Sequence, residues 1–220
     1  FSGNVRAAEA RARMLPGRPD YNRIWKGGET PENRLAAAVI DAVQAARPFA
    51  AVDLHNNTGA NPLYALVHEP RPEDLQLASL FSPRALFTRS PPATLGEAMA
   101  QFCPAITAEC GQPGVAANEQ AAFELILDAM HLDRWRGAAD QDMALLDVAG
   151  RIEIAEDAGI AFSADAPGEI ELPAALEKWN FFERPAGSVF ARVRNGARPV
   201  RVLDQSGRDV TDLCFRRDGD

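Results

Sequence analysis

The feature that most constrains the fold is an apolar run that stops abruptly at a histidine. The run from Phe49 to Leu54 is apolar except for Asp53, and His55 is followed by small polar residues and by Gly59. Such a run is typical of a buried strand that delivers a side chain at its carboxyl end. Because ligands bind at that edge of an α/β sheet, His55 is a candidate functional residue. The alternative interpretation is an ordinary core or surface histidine.

A second apolar run ends in the same way, at a glutamate. Residues 105–108 are followed by Glu109, Cys110 and Gly111. A carboxylate at a strand edge beside a metal can act as a general base. Without a metal nearby, the same residue is a solvated strand end, and the residues themselves leave both interpretations open.

Helical patterns separate the strands. We expect one helix from the Thr30-Pro31 cap to about Arg47 and a brief helix from the capping box at Thr94 to Phe102. A long helix to about Trp135 should be capped by Asn118 and should bury a stripe made of Phe123, Ile126, Leu127 and Met130. This alternation predicts an α/β fold with a mostly parallel, mixed sheet flanked by helices.

The pattern changes after about Gly150. Short alternating runs, typical of antiparallel hairpins, occur at residues 151–156, 168–172, 188–194, 199–203 and 209–215, with a turn at Asn195-Gly196. The sequence therefore predicts two domains, an α/β domain at residues 1–149 and a small β-rich C-terminal domain at residues 150–220.

Charge and cysteine content exclude several classes of protein. The net charge of -8 argues against a nucleic-acid-binding face, which needs clustered basic residues. No apolar run reaches the roughly 18 to 20 residues that a membrane span needs. The three cysteines, Cys103, Cys110 and Cys214, contain no CxxC pair, so we expect reduced thiols and a cytoplasmic location.

An arginine-rich loop near the start of the chain is a candidate anion site. It contains Arg13 and the compact motif Asp20-Tyr21-Asn22-Arg23. A guanidinium can grip a carboxylate through two parallel hydrogen bonds, and an adjacent Asn can add a neutral donor. The alternative is a surface arginine paired with Asp20.

Three stretches in this order resemble the aspartoacylase and succinylglutamate desuccinylase family of zinc hydrolases, which is related to the M14 carboxypeptidases. They are Gly3-Asn4 with Asp20-x-Asn22-Arg23, then the stretch from Asp53 to Thr58, then the stretch from Thr107 to Gly111. The resemblance extends over nearly the whole chain, because the region of Leu172-Pro173, Asn180-Phe181 and Gly187 resembles the start of that family's C-terminal β domain. It implies a zinc-carboxypeptidase-like fold and a deacylase that cleaves the amide bond of an N-acyl amino acid or similar small carboxylate.

The resemblance also implies roles for five residues. His55 would be one zinc ligand, Glu109 the general base, and Asn22 and Arg23 the groups that hold the substrate carboxylate. Arg13 would help to polarise the scissile carbonyl. The family's other ligands come from a His-x-x-Glu motif upstream of its Gly-Asn, and this chain has no histidine before His55. We therefore expect those ligands upstream of Phe1, with one Zn²⁺ per chain in the complete protein.

Two other functions remain open at this stage. One is a carboxypeptidase-like peptidase that acts on short peptides, and the other is a metal-free protein that binds small anions through Arg23. For the deacylase, the expected partner is a small-molecule N-acyl amino acid or a related carboxylate, with no nucleic acid and no membrane, and a homo-oligomer is compatible with the sequence. We expect His68 at an exposed strand end, His131 in a structural position and Cys110 as a buried apolar residue.

Overall fold

The computed structural model describes residues 3–89, 93–136, 142–163, 166–194 and 199–216. The chain divides into two compact units. The first runs to Asn57 and resumes from Leu63 to Asp147. The second comprises Thr58–Pro62 and the chain from Val148 onward.

A five-stranded sheet forms the centre of the first unit. Its strands are β1 (Ala51–His55), β2 (Tyr64–Val67), β3 (Arg84–Phe87), β4 (Ala105–Glu109) and β5 (Ala144–Asp147). They lie in the order β1-β4-β2-β3-β5. Only the β2–β4 pairing is antiparallel among these strands, and the other three pairings are parallel. The predicted mixed and mostly parallel sheet is therefore confirmed.

Helices cover both faces of this sheet. The helices of this unit are α1 (Val5–Glu9), α2 (Pro31–Ala46), α3 (Pro72–Ser79), α4 (Leu95–Ala100) and α5 (Ala116–His131), with a 3₁₀ turn at Tyr21–Arg23, and all but α1 contribute to the packing on the sheet. Ile40 and Val43 of α2 and Met99 of α4 pack with Ala105 on one face. Leu77 of α3 and Leu125 of α5 pack with the neighbouring core residue Ile106 on the other. Since successive strand residues point to opposite faces, the odd-numbered residues of β4 face α2 and α4.

Two of the predicted helix starts are found where the sequence placed them. The Thr30 hydroxyl accepts a hydrogen bond from Asn33 N (3.1 Å), and Pro31 occupies the first helical position of α2. The Thr94 hydroxyl likewise accepts from Glu97 N (3.2 Å) at the start of α4. In both cases a short polar side chain satisfies an amide that the first turn leaves unpaired.

The prediction for α5 was wrong in two respects. The helix begins before Asn118, whose side chain instead donates to Gln112 O (3.1 Å). The expected stripe is also largely exposed, with Met130 77% and Phe123 58% accessible. The helix packs through Leu125 with Ala122 and Ala129, because small side chains allow close approach to the sheet and turn the larger apolar residues outward.

A buried ion pair fixes the start of β4. Asp74 of α3 is fully buried and accepts hydrogen bonds from the Arg71 guanidinium and from Ala105 N (2.7 Å). Arg71 also donates to Cys103 O (2.9 Å). Because a buried carboxylate needs charged and hydrogen-bonded partners, this contact joins α3 firmly to the strand that ends at Glu109.

The second unit contains two small sheets. Its elements are β6 (Gly150–Ile154), β7 (Ile160–Ala161), β8 (Ile170–Glu171), β9 (Arg192–Val193), β10 (Val200–Asp204), α6 (Thr211–Cys214) and a 3₁₀ turn at Leu176–Trp179. β10 pairs antiparallel with β6, and β8 pairs antiparallel with β9. The β7–β8 pairing is parallel, so the prediction of antiparallel hairpins holds only in part.

The expected strand at residues 209–215 is instead the short helix α6. The Asp209 carboxylate accepts from Thr211 N (2.9 Å) and from the Thr211 hydroxyl (2.6 Å), which turns the chain into a helix rather than a strand. The Asn195-Gly196 turn lies outside the described residues. No helix in the described parts of the chain is both long and apolar enough to cross a bilayer.

Candidate functional site

Sheet register brings three polar side chains into one row. His55 at the end of β1 is paired with Glu109 at the end of β4, and Glu109 is also paired with Tyr64 at the start of β2. Directly paired residues on neighbouring strands point to the same face. With strands about 4.8 Å apart, the row from His55 through Glu109 to Tyr64 spans about 10 Å.

His55 lies between a carboxylate and an amide. Its Nε2 atom is 3.2 Å from Asp53 Oδ2 and 3.4 Å from Asn22 Nδ2. The contact with Asp53 raises the pKa of His55, burial opposes this shift, and the charge of Glu109 adds to it. Asp53 Oδ2 is itself buried, and its 3.2 Å contact with Nε2 is the largest influence on the imidazole.

Backbone groups fix the orientation of Asn22. Its Oδ1 accepts from Leu95 N (3.0 Å) at the start of α4, so its NH₂ group faces His55. This NH₂ group can donate to Nε2 only while that nitrogen carries no proton, whereas a proton on Nε2 would be directed at Asp53 Oδ2. The amide and the imidazole therefore form one polar unit that the sequence placed 33 residues apart.

Close packing of α4 makes this arrangement possible. A Cβ atom on Gly96 would lie 2.4 Å from Thr107 Oγ1 and 3.0 Å from His68 Nε2. Only a residue without a side chain lets the first turn of α4 approach β4 this closely. The approach sets the position of Leu95 N, and through it the position of Asn22.

Glu109 is held by a residue that the sequence analysis did not single out. Asn57 Nδ2 donates to Glu109 Oε2 (3.2 Å), and Asn57 N donates to Gly111 O (2.9 Å). Cys110 N donates to His55 O (2.7 Å). These bonds connect the two chain segments that follow β1 and β4. The only signal for Asn57 in the sequence was its position two residues after His55.

The two arginines lie near this site but differ in their contacts. Arg13 forms an ion pair with Asp20 (2.9 Å), which is the alternative that the sequence left open. Arg23 instead donates to its neighbouring carbonyl, Asn22 O. The charge of Arg13 lowers the pKa of His55 as a minor contribution, so Arg13 is within electrostatic reach of the imidazole.

Asp20 connects the arginine loop to Asn22. Burial alone would raise the pKa of Asp20, but the hydrogen bond from Asn22 N (2.9 Å) and the Arg13 guanidinium outweigh this effect and lower it. Asp20 therefore stays charged, caps the 3₁₀ turn and orders the motif that presents Asn22.

The donor set fits a zinc site only in part. His55 supplies one imidazole, whereas catalytic zinc sites have three protein ligands. Within residues 3–89, 93–136 and the other described ranges, no three His, Cys, Asp or Glu side chains are grouped to hold a metal ion. A complete site would therefore need ligands besides those that the structure describes.

The remaining candidate residues have other surroundings. His68 is not at an exposed strand end as predicted, because α4 covers it, and burial lowers its pKa. Cys110 is buried, and its Sγ lies 3.4 Å from Ala108 O. Burial raises the pKa of Cys110. His131 is exposed at the end of α5.

Solved structures resemble the chain at low sequence identity. A succinylglutamate desuccinylase from Vibrio cholerae gives a TM-score of 0.59 at 16% identity, with 92% of this chain and 64% of that one covered. The enzyme from Vibrio parahaemolyticus gives 0.56 at 17%, with 88% and 60% covered. A succinylglutamate desuccinylase/aspartoacylase from Rhodobacter sphaeroides gives 0.56 at 15%, with 94% and 66% covered. No protein-family model and no curated protein sequence matches the chain.

These comparisons define the class of fold. The chain has the mixed α/β fold of the succinylglutamate desuccinylase structures, and it spans about 60 to 66% of their length. The resemblance that the sequence motifs predicted is therefore confirmed at the level of the fold.

Proposed function

We propose that the protein is a zinc-dependent deacylase that hydrolyses the amide bond of an N-acyl amino acid or a similar small carboxylate. The observation that carries the proposal is the in-register pairing of His55 with Glu109, with Asn22 3.4 Å from the imidazole. The fold shared with succinylglutamate desuccinylases supports the same class of reaction.

Glu109 is the proposed general base. One of its oxygens, Oε2, accepts a hydrogen bond from Asn57 (3.2 Å), which restricts the rotation of the carboxylate. Glu109 would take a proton from the attacking water and pass it to the nitrogen of the leaving amine. Proton transfer by a positioned side chain contributes about 10²- to 10⁴-fold to such reactions.

The substrate carboxylate would bind at the His55 end of the row. Asn22 offers an NH₂ donor that is already oriented by Leu95 N, and the Arg23 guanidinium follows it directly in the motif. Arg13 would stabilise the negative charge that develops on the carbonyl oxygen, as cations do in acyl-transfer sites. For this role, the Arg13 guanidinium would have to leave Asp20 or contact both Asp20 and the carbonyl oxygen.

Zinc is part of the proposal, with His55 as one ligand. Bound zinc would supply a water of lowered pKa and polarise the carbonyl. The other ligands would have to come from outside the described residues. Metal analysis of the purified protein tests this directly, and a protein that hydrolyses its substrate with no bound metal would overturn the zinc assignment.

The test of the reaction compares Glu109→Gln with a matched change at an exposed glutamate, Glu156→Gln. A panel of N-acyl amino acids is assayed with each protein. We expect Glu109→Gln to lower kcat by about 100-fold or more and Glu156→Gln to leave it unchanged. Equal activity of the two variants would contradict the assigned base. Cleavage of unmodified dipeptides in place of N-acyl amino acids would instead indicate the peptidase.

A further inference from the structure

The two polar neighbours of the His55 side chain lie at the same ring nitrogen. Asp53 Oδ2 is 3.2 Å from Nε2, and Asn22 Nδ2 is 3.4 Å from it. The residues that the structure describes make no hydrogen bond to the other ring nitrogen, Nδ1. The two nitrogens of this imidazole therefore have different surroundings.

The two neighbours require opposite states of Nε2. The Asn22 side chain faces the imidazole with its NH₂ group, because its Oδ1 accepts from Leu95 N (3.0 Å). An NH₂ donor needs a lone pair on Nε2, whereas the Asp53 carboxylate needs a proton there. A neutral imidazole carries one proton, so the partner that Nε2 selects also decides the state of Nδ1.

The state that Asp53 favours is the one that can ligate a metal. With the proton on Nε2 and directed at Asp53, Nδ1 keeps its lone pair. With Asn22 donating to Nε2, the proton lies on Nδ1 and neither nitrogen has a free lone pair. Histidines that ligate metals usually donate their second ring N–H to a carboxylate or a carbonyl.

The fold places Asp53 for this contact. Asp53 and His55 are two residues apart on β1, so their side chains point to the same face of the strand. The Asp53 side chain is 14% exposed, and its Oδ2 is buried. A buried carboxylate oxygen needs a donor, and an N–H group at Nε2 of His55 supplies one.

We propose that Asp53 is a positioning residue of the metal site, which holds the proton of His55 on Nε2 so that Nδ1 is the nitrogen that ligates zinc. This assignment rests on the zinc ligation in the proposed function. It also agrees with the proposed role of Asn22, because an imidazole with a proton on Nε2 accepts no hydrogen bond from Asn22. The NH₂ group of Asn22 is then left for the substrate carboxylate.

The tautomer of His55 is measured by ¹⁵N NMR of the imidazole nitrogens in protein labelled at histidine. The chain has three histidines, and the signals of His55 are those that are missing from His55→Gln. In the wild-type protein with bound Zn²⁺, we expect the proton on Nε2 and the metal on Nδ1. Zn²⁺ on Nε2 with the proton on Nδ1 would overturn the assignment.

Zinc affinity measures how much Asp53 contributes. It is determined by competition with a chelating dye for the wild type, Asp53→Ala, Asp53→Asn and the control Asp41→Asn, at an exposed aspartate. We expect Asp53→Ala to weaken zinc binding by about 10- to 100-fold and Asp41→Asn to leave it unchanged. Asp53→Asn should lose less than Asp53→Ala, because its side-chain oxygen can still accept from Nε2. Equal affinities of Asp53→Ala and Asp41→Asn would contradict the role of Asp53. If Asp53→Ala failed to fold, the wild-type NMR spectrum would still decide the tautomer.

This assignment and the deacylase can fail separately. If the wild-type protein binds Zn²⁺ through Nδ1 of His55 but hydrolyses no N-acyl amino acid, the deacylase is wrong and the role of Asp53 stands. If it hydrolyses these substrates with Zn²⁺ on Nε2, only the role of Asp53 is wrong. If it binds no Zn²⁺, the zinc ligation and the role of Asp53 are both wrong.

Discussion

Replacing Arg71 by alanine should destabilise the first unit far more than the loss of an ordinary surface ion pair. Asp74 is fully buried, and Arg71 supplies two of its hydrogen bonds, leaving only Ala105 N as a partner among the contacts described above. Breaking a buried pair from one side costs about 3 to 5 kcal/mol. The Arg71 side chain is 37% exposed, so water can replace part of its role. We therefore expect the lower end of that range, about 3 kcal/mol.

Amide hydrogen exchange in β4 measures this loss locally. A loss of about 3 kcal/mol corresponds to exchange that is faster by more than about 100-fold for amides that exchange by unfolding of the first unit. The matched control is Arg151→Ala, which breaks the exposed pair with Glu153 (2.6 Å) and should cost less than about 1 kcal/mol. If Arg71→Ala had no larger effect on β4 exchange than Arg151→Ala, the buried pair would not hold β4 in place.

Two further predictions concern the site and the second unit. Asn57→Ala removes the donor to Glu109 Oε2 and should lower kcat by about 5- to 10-fold, since this 3.2 Å bond is at the weak end for a charged acceptor. The control is Asn56→Ala, at an exposed neighbouring residue, which should leave kcat unchanged. Equal kcat values for the two variants would contradict the role of Asn57. In the second unit, hydrogen bonds from the Ser206 hydroxyl and the Arg208 amide lower the pKa of Asp204 from 3.8 to about 2. A depressed folded-state pKa stabilises the folded state above the unfolded value and loses this effect as the pH falls. Asp204→Asn should therefore reduce the loss of stability of the second unit between about pH 4 and pH 2. The measurement is the urea midpoint of unfolding, followed by the fluorescence of Trp179, as a function of pH. The same dependence of this midpoint on pH in the wild type and the variant would contradict the expectation.

Local signals in the sequence predicted much of the first unit. The capping residues Thr30 and Thr94 and the two strands that end at His55 and Glu109 are where their patterns placed them. Each of these depends on residues close together in the chain. The wrong prediction for α5 has a different origin. The helix has one face that contains Leu125 and another with more large apolar residues, and it buries the face with Leu125. Which face is buried depends on the shape of the sheet, which the helix sequence does not show.

The remaining features of the site depend on the order of the strands. The antiparallel insertion of β2 beside β4 puts Tyr64 next to Glu109, although 45 positions separate them in the chain. No periodicity reveals such a neighbour. Likewise, the contact between Asn22 and Leu95 N follows from the close approach of α4 at Gly96, which only the packing of helix on strand shows.

The row of His55, Glu109 and Tyr64 also requires a fixed register between three strands. A slip of β4 by one residue would turn Glu109 to the opposite face and bring Ala108 into its place, since side chains alternate along a strand. The hydrogen bond from Ala105 N to Asp74 (2.7 Å) fixes the first residue of β4 against α3, and the bond from Cys110 N to His55 O (2.7 Å) fixes the residue after its last. Loss of the first contact should therefore reduce activity through Glu109 even though Asp74 and Arg71 touch none of the proposed catalytic groups.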